Sequence, residues 1–266
     1  MRLSYGELIG YSPIKLSIGS IRKPLLKDID NLGFELFNQY ESLLFLTAEI
    51  YYTKFLGEKG LQYWNGLSDT EKQSLNLLDV IENDEQMRDE YLAILNFFFV
   101  EDIIYSNGMF VILNIPSTEI NEQINETAIR GGITKKNLED VLKIIQQICG
   151  IYEEKENEKD IKFKNNTAKK IYEKLQKANK KKKEKQKSDI NLSIPNIISS
   201  LCGGKHPSIN YTNVFEMTIY QLLDTFNKLQ LTSIYDIDST RVSVWGDEKK
   251  TFKPSLWYTN QYDTRK

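Results

Sequence analysis

Between Lys162 and Lys187 the chain carries 12 lysines against only Glu173 and Glu184, a net charge of +10 in 26 residues. Unpaired cations at that density cannot be taken out of water without a penalty far larger than any packing gain. The segment therefore cannot run through a core, and the chain has to fold on either side of it. The whole sequence has a formal net charge of -2, so the remaining 240 residues carry -12. The molecule is an acidic body with one concentrated basic stretch. Within that stretch Ala168, Ile171, Tyr172, Leu175 and Ala178 keep a sparse helical stripe. It offers too little apolar surface to anchor a helix, which predicts an exposed charged helical linker. The expected organisation is an N-terminal domain over 1–151, a linker over 152–189 and a small C-terminal domain over 190–266.

The flanking parts are patterned for folding. Apolar residues make up 40% and aromatics 11%, which places the chain among globular proteins. Ile14, Leu16 and Ile18 alternate with polar residues and predict a short extended start over Tyr11 to Lys27. From Leu25 the spacing becomes helical and runs to Gly57 and Gly60, expected to stop it. Ser68-Asp69-Thr70-Glu71 is a capping box for the next helix, and Tyr91 to Phe99 is a further helical stretch. Apolar runs on both sides of Asn107-Gly108 predict a hairpin over 103–113, because that pair accepts the positive φ angles of a tight turn. Asn114 to Arg130 fits strand and helix equally, and Gly131-Gly132 reads as a break. Thr134 is expected to cap a helix with Leu138, Val141, Leu142, Ile145 and Ile148 on one face.

Beyond the linker, Leu192 to Leu201 predicts a short helix closed by Gly203-Gly204. Thr218 predicts the cap of another, with Ile219, Leu222, Leu223, Phe226 and Leu229 on one face. Ile234 to Trp245 reads as extended, since Val242 and Val244 alternate with Arg241 and Ser243. The fold class is mainly α with a small β component. A C-terminal part of that size is marginal for an independent core.

Catalytic chemistry finds little to work with. His206 is the one histidine. It is followed by Pro207 in a Gly-rich loop, a poor place for a general base. Cys202 and His206 could ligate a metal, but even with Cys149 a fourth zinc ligand is lacking. Gly203-Gly204-Lys205 lacks the first glycine and the hydroxyl residue of a phosphate-binding loop. Asp236, Asp238, Asp247 and Glu248 match no calcium loop. The reading is a protein that is not an enzyme, with no cofactor and no metal. No run is long enough to span a membrane, and no secretion signal opens the chain, so the expected location is the cytoplasm.

Binding is the alternative to catalysis. Lys169, Lys170, Lys174, Lys177, Lys180, Lys181, Lys182 and Lys183 could neutralise phosphates of a nucleic acid. Arginine is absent from this segment and stacking aromatics are few, so a tether or a protein-docking segment is favoured over nucleic-acid recognition. Trp245, Trp257, Tyr258 and Tyr262 are large amphipathic side chains of the kind that anchor interfaces, or else they fill the small C-terminal core.

Three passages carry a resemblance. They are Ile18-Gly19-Ser20-Ile21-Arg22-Lys23-Pro24-Leu25-Leu26-Lys27-Asp28-Ile29, then Ala168-Lys169-Lys170-Ile171-Tyr172-Glu173-Lys174-Leu175 ahead of the lysine run. The strongest is Tyr211-Thr212-Asn213-Val214-Phe215-Glu216-Met217-Thr218-Ile219-Tyr220-Gln221-Leu222-Leu223-Asp224-Thr225-Phe226, followed by Val244-Trp245-Gly246 and Leu256-Trp257-Tyr258. In that order they resemble tail assembly chaperone-like proteins from the tail-morphogenesis clusters of tailed phages and prophages of Firmicutes. The resemblance implies a non-catalytic morphogenesis factor in the bacterial host cytoplasm, whose partners are the tape-measure protein and tail-tube subunits. A nucleic-acid-binding accessory protein and a minor virion structural protein are the alternatives.

Overall fold

The computed structural model describes residues 1–119, 126–151, 190–204, 208–248, 250–260 and 262. The chain opens on a short helix, α1 (Tyr5–Ile9), started by a capping box in which the Ser4 hydroxyl accepts from Glu7 N and the Glu7 carboxylate accepts from Ser4 N. The carbonyls at its far end meet a cation: Lys23 Nζ donates to Glu7 O and to Gly10 O. Lys23 is buried, and that burial holds its ammonium below the usual lysine range. The charge is thus spent on helix-end carbonyls, where the backbone dipoles favour a cation. Lys23→Met keeps the stem and removes both donors. We expect it to lower stability by about 2 kcal/mol, seen as a lower urea midpoint with unchanged slope.

The extended start becomes a minimal hairpin. Strands β1 (Ile14–Lys15) and β2 (Ser20–Ile21) pair antiparallel with Ile14 opposite Ile21. Helices α2 (Leu26–Leu32) and α3 (Phe34–Leu43) follow, separated by Gly33 at φ 97°. Then α4 (Ala48–Ile50) leads into a π-helical turn, Tyr51–Phe55, and α5 (Gly57–Gly66). The helical run therefore breaks at Leu56–Gly57, as expected of Gly57, but Gly60 does not stop it. Gly57 lets the chain turn at φ 66°, and Gly60 lies inside α5 against the π turn. A Cβ at residue 60 would stand 2.5 Å from Leu56 Cβ, and nearer still to the Tyr52 carbonyl oxygen.

Helix α6 (Asp69–Ser74) opens on the expected Ser68–Glu71 box. Helix α7 (Leu77–Asn83) uses the same device with Asn76 and Asp79. Helix α8 (Glu85–Phe98) is capped by Asp84, whose second carboxylate oxygen accepts from the buried Tyr51 hydroxyl at 2.6 Å. The expected hairpin forms from β3 (Ile103–Ser106) and β4 (Met109–Leu113), with Tyr105 opposite Phe110 and positive φ at Asn107 and Gly108. A third strand, β5 (Ile129–Ile133), pairs antiparallel with β4, giving the order β3-β4-β5. Gly131 and Gly132 are inside this strand and do not interrupt it. A Cβ at residue 131 would lie 2.9 Å from the Ile18 backbone, so the glycine permits close approach of two backbones.

Helix α9 (Leu138–Ile148) buries Leu138, Val141, Leu142, Ile145 and Ile148, the stripe read from their spacing. Its N-cap is Asn137 and not Thr134. Thr134 instead closes a preceding turn, its carbonyl accepting from Asn137 N at 3.2 Å and Leu138 N at 3.0 Å. The core around this helix contains Phe37, Tyr91, Phe98 and Phe110, all fully buried. Each such ring contributes roughly 2 to 3 kcal/mol by leaving water. The Tyr91 hydroxyl donates to Leu43 O at 2.6 Å, so its one polar atom is satisfied.

Contacts divide the chain into two compact units. The first is Met1–Tyr152 with Phe215–Asp224, and the second is Glu153–Val214 with Thr225–Lys266. Ten residues of the C-terminal part, Phe215–Asp224, are grouped with the N-terminal body. The backbone explains why. Leu26 N donates to Met217 O at 2.8 Å, and Leu25 bridges Thr218. Gln221 Nε2 donates to Ile9 O at 2.7 Å, and the Tyr5 hydroxyl donates to Asp224 at 2.9 Å. Lys27 pairs with Glu216 at 2.9 Å.

The second unit contains α10 (Ile194–Gly203), with Ile194, Ile197, Ile198 and Leu201 buried. Helix α11 (Ile219–Trp245) begins in the first unit and continues through the second. Thr218 and Gln221 form its capping box, as expected of Thr218. The extended reading of Ile234 to Trp245 is overturned, since these residues complete α11. Adding a residue to an existing helix costs far less than starting one, and two valines do not outweigh that. Serine and threonine side chains also satisfy carbonyls four residues back, Thr240 to Asp236 O and Ser243 to Ser239 O, each at 2.8 Å. The architecture is mainly α with two small antiparallel sheets.

Candidate protein-interaction surfaces

Cys149 is buried in the first unit, where burial pushes its thiol well above the ordinary range, so it stays an uncharged core residue. Cys202 lies in α10 and is half-buried. Lys205 and His206 lie outside the described residues. Among the described residues, no group of three His, Cys, Asp or Glu side chains could hold a metal ion. The carboxylates considered for cation binding have local tasks. Asp238 pairs with Arg241 at 3.3 Å within α11. Asp247 accepts from Thr251 N at 3.0 Å and Phe252 N at 2.9 Å, hydrogen bonds that hold its carboxyl below the usual range.

The lysines singled out for binding, Lys169, Lys170, Lys174, Lys177 and Lys180 to Lys183, also lie outside the described residues. Of the four aromatic candidates, Trp245, Trp257 and Tyr258 are exposed and Tyr262 is buried. Trp245 ends α11 and is 76% exposed. Trp257 and Tyr258 sit in a 3-10 turn, Leu256–Tyr258, with their rings edge-on at 5.0 Å. They are 49% and 60% exposed. The packing role falls to other rings: Phe252 lies against Tyr235 at 5.7 Å, and Tyr262 is buried. Lys228 Nζ donates to Thr259 O, so the returning chain follows the side of α11 that carries Lys228 and Tyr235, seven residues apart. Away from that side, Ile234, Ile237 and Val244 are exposed.

A second exposed apolar group lies in the first unit and was not singled out from the sequence. On the arm formed by the π turn and α5, Phe55, Leu56, Leu61 and Tyr63 are exposed. Tyr51 stacks on Phe55 at 5.7 Å, and Tyr52 contacts Tyr63 at 4.9 Å and Trp64 at 6.1 Å. Lys72 places its ammonium 5.9 Å from the Trp64 ring. The signal available in the sequence was the density of aromatic residues around Gly60, because a glycine inside a helix often marks a close approach. Isolated exposed apolar residues are ordinary, whereas groups of them mark contact sites.

Residues 180–262 match the family described as YomV second domain. That family is of a Bacillus phage and prophage type, which associates the chain with phage proteins. The match spans α10, α11 and the turn bearing Trp257 and Tyr258. No curated protein and no solved structure matches the chain. Among the described residues, no helix is long and apolar enough to cross a membrane.

Proposed function

We propose that the chain is a non-catalytic phage morphogenesis factor, a tail assembly chaperone that holds the tape-measure protein and tail-tube subunits before they polymerise. The observation that carries this reading is the grouping of large apolar side chains on the surface of a highly charged chain. Trp257 and Tyr258 pair edge-on in one exposed turn, Trp245 is exposed at the end of α11, and Phe55, Leu56, Leu61 and Tyr63 are exposed on the arm of the first unit. A client that is a long amphipathic helix exposes an apolar stripe that aggregates in water. Aromatic side chains on a soluble, charged frame can cover such a stripe with little loss of side-chain entropy. The phage-type family match supports the setting.

Co-expression tests this directly. With a phage tape-measure protein as co-expressed client, the chain is expected to keep that client soluble and to co-purify with it. The double variant Trp257→Ala, Tyr258→Ala is expected to weaken recovery of the complex about tenfold or more, since anchors of this kind typically contribute 2 kcal/mol or more each. An insoluble client beside a free chain would refute the reading.

A further inference from the structure

Along the outer side of α11 the residues Gln230, Ile234, Ile237, Arg241 and Val244 recur at intervals of four, three, four and three. That is the spacing of a coiled-coil seam, and it keeps one stripe facing a neighbouring helix. Among the described residues nothing covers it: Ile234, Ile237 and Val244 are 48%, 70% and 63% exposed. Trp245 follows Ile234 by eleven residues, three helical turns, and so widens the same patch. The returning chain from Phe252 to Thr259 occupies the side bearing Lys228 and Tyr235. A heptad seam that is bare over two repeats, on a helix already supported from another side, is built for a second helix.

The charges on the seam select what that helix is. In a parallel pair, Arg241 would meet Arg241 of the second copy in the seam, burying two like charges together. In an antiparallel pair centred between Ile237 and Arg241, Ile234 faces Val244 of the second copy. Arg241 then faces Ile237 of the second copy and lies one residue from its Asp238. Asp238 is already the partner of Arg241 within the chain, at 3.3 Å. Across a two-fold axis each Arg241 therefore gains a second carboxylate, and each apolar seam residue except Ile237 gains an apolar neighbour. Ile237 packs against the aliphatic stem of arginine. The surface is self-complementary, which a two-fold contact requires.

We propose that α11 binds α11 of a second copy, antiparallel along Ile234, Ile237, Arg241 and Val244, to form a reversible dimer. The inference does not rest on the chaperone reading and is tested without a client. A seam of two heptads buries little area, so the dimer belongs with weak, transient contacts, dissociating on the order of 10 μM.

Sedimentation velocity of the full chain over a concentration series should show a monomer converting to a dimer. Ile234→Asp should weaken the dimer about a hundredfold, because it buries a carboxylate against Val244 of the second copy. Arg241→Asp should do the same, and Arg241→Asp with Asp238→Arg should restore association, since the swap rebuilds every ion pair. Circular dichroism of each variant reports whether α11 is kept. Orientation is read by disulfide trapping in a Cys202→Ser background. Mixed Ile234→Cys and Val244→Cys chains should cross-link to each other, and Ile234→Cys chains should not cross-link among themselves. A monomer at all concentrations, a dimer indifferent to Ile234→Asp, or trapping of Ile234→Cys chains with themselves would each overturn the proposal.

Discussion

Gly60→Ala should detach α5 from the π-helical turn while leaving the rest of the first unit folded. The added methyl would collide with the Tyr52 carbonyl oxygen and with Leu56 Cβ, 2.5 Å away. One of these is backbone and the other sits at the start of the same arm, so neither can swing aside as a flexible side chain would. Overpacking of this kind costs about 3 kcal/mol. Gly60 is the one buried residue of α5. The helix has few other contacts to lose, and its attachment is weaker than the core. The expected result is local: amide protection over 57–66 falls about a hundredfold, while protection over 91–98 is unchanged. Hydrogen exchange followed by mass spectrometry separates the two segments. Unchanged protection at 57–66 would show that the arm accommodates the methyl, and that the glycine has another purpose.

Glu41→Gln is expected to stabilise the protein at pH 8 and to do little at pH 4. Glu41 lies in α3, and burial pushes its carboxyl up from an ordinary 4.5 to about 7. The native state therefore holds a proton more tightly than the unfolded chain does. Stability from this group is fully present below pH 4.5, falls as pH rises, and has been lost once pH passes 7. A difference of that size corresponds to about 3 kcal/mol at most. Glutamine has nearly the shape of the protonated acid and cannot ionise, so the substitution removes the penalty and leaves the packing in place. Cys149 feels the same carboxylate, whose charge adds to the burial that keeps the thiol neutral. Urea unfolding of both proteins at pH 4, 6 and 8 is the measurement. Equal gains at every pH would mean that the effect is packing and that the carboxyl is not desolvated.

What could be read from the sequence was local. The Ser68–Glu71 box, the Asn107-Gly108 turn and the stripe from Leu138 to Ile148 each depend on residues within a few positions of one another, and each forms. Misreadings occurred where a distant partner decides. Gly60 and Gly131 looked like punctuation because the backbones they admit, at Tyr52 and Ile18, cannot be seen from their own neighbourhood. Val242 and Val244 alternate like a strand, but the helix begun at Thr218 carries through them. The surface shows the same division. Trp245, Trp257 and Tyr258 were legible as large anchors. Which aromatics would be left outside depended on Tyr262 and Phe252 filling the interior, and sequence spacing carries no record of that. The arm around Tyr52 went unread because its rings are gathered by a π turn, which has no reliable sequence signature.

The return of Phe215–Asp224 to the first unit also sets an order of events during synthesis. The backbone partners of Leu26 and the acceptor for Tyr5 are translated long after α1 and α2, beyond the lysine-rich segment of the sequence. Until Asp224 clears the ribosome, the nascent N-terminal body has an open flank. A product terminated before Phe215 would keep that flank permanently, so premature termination yields a different surface and not merely a shorter protein.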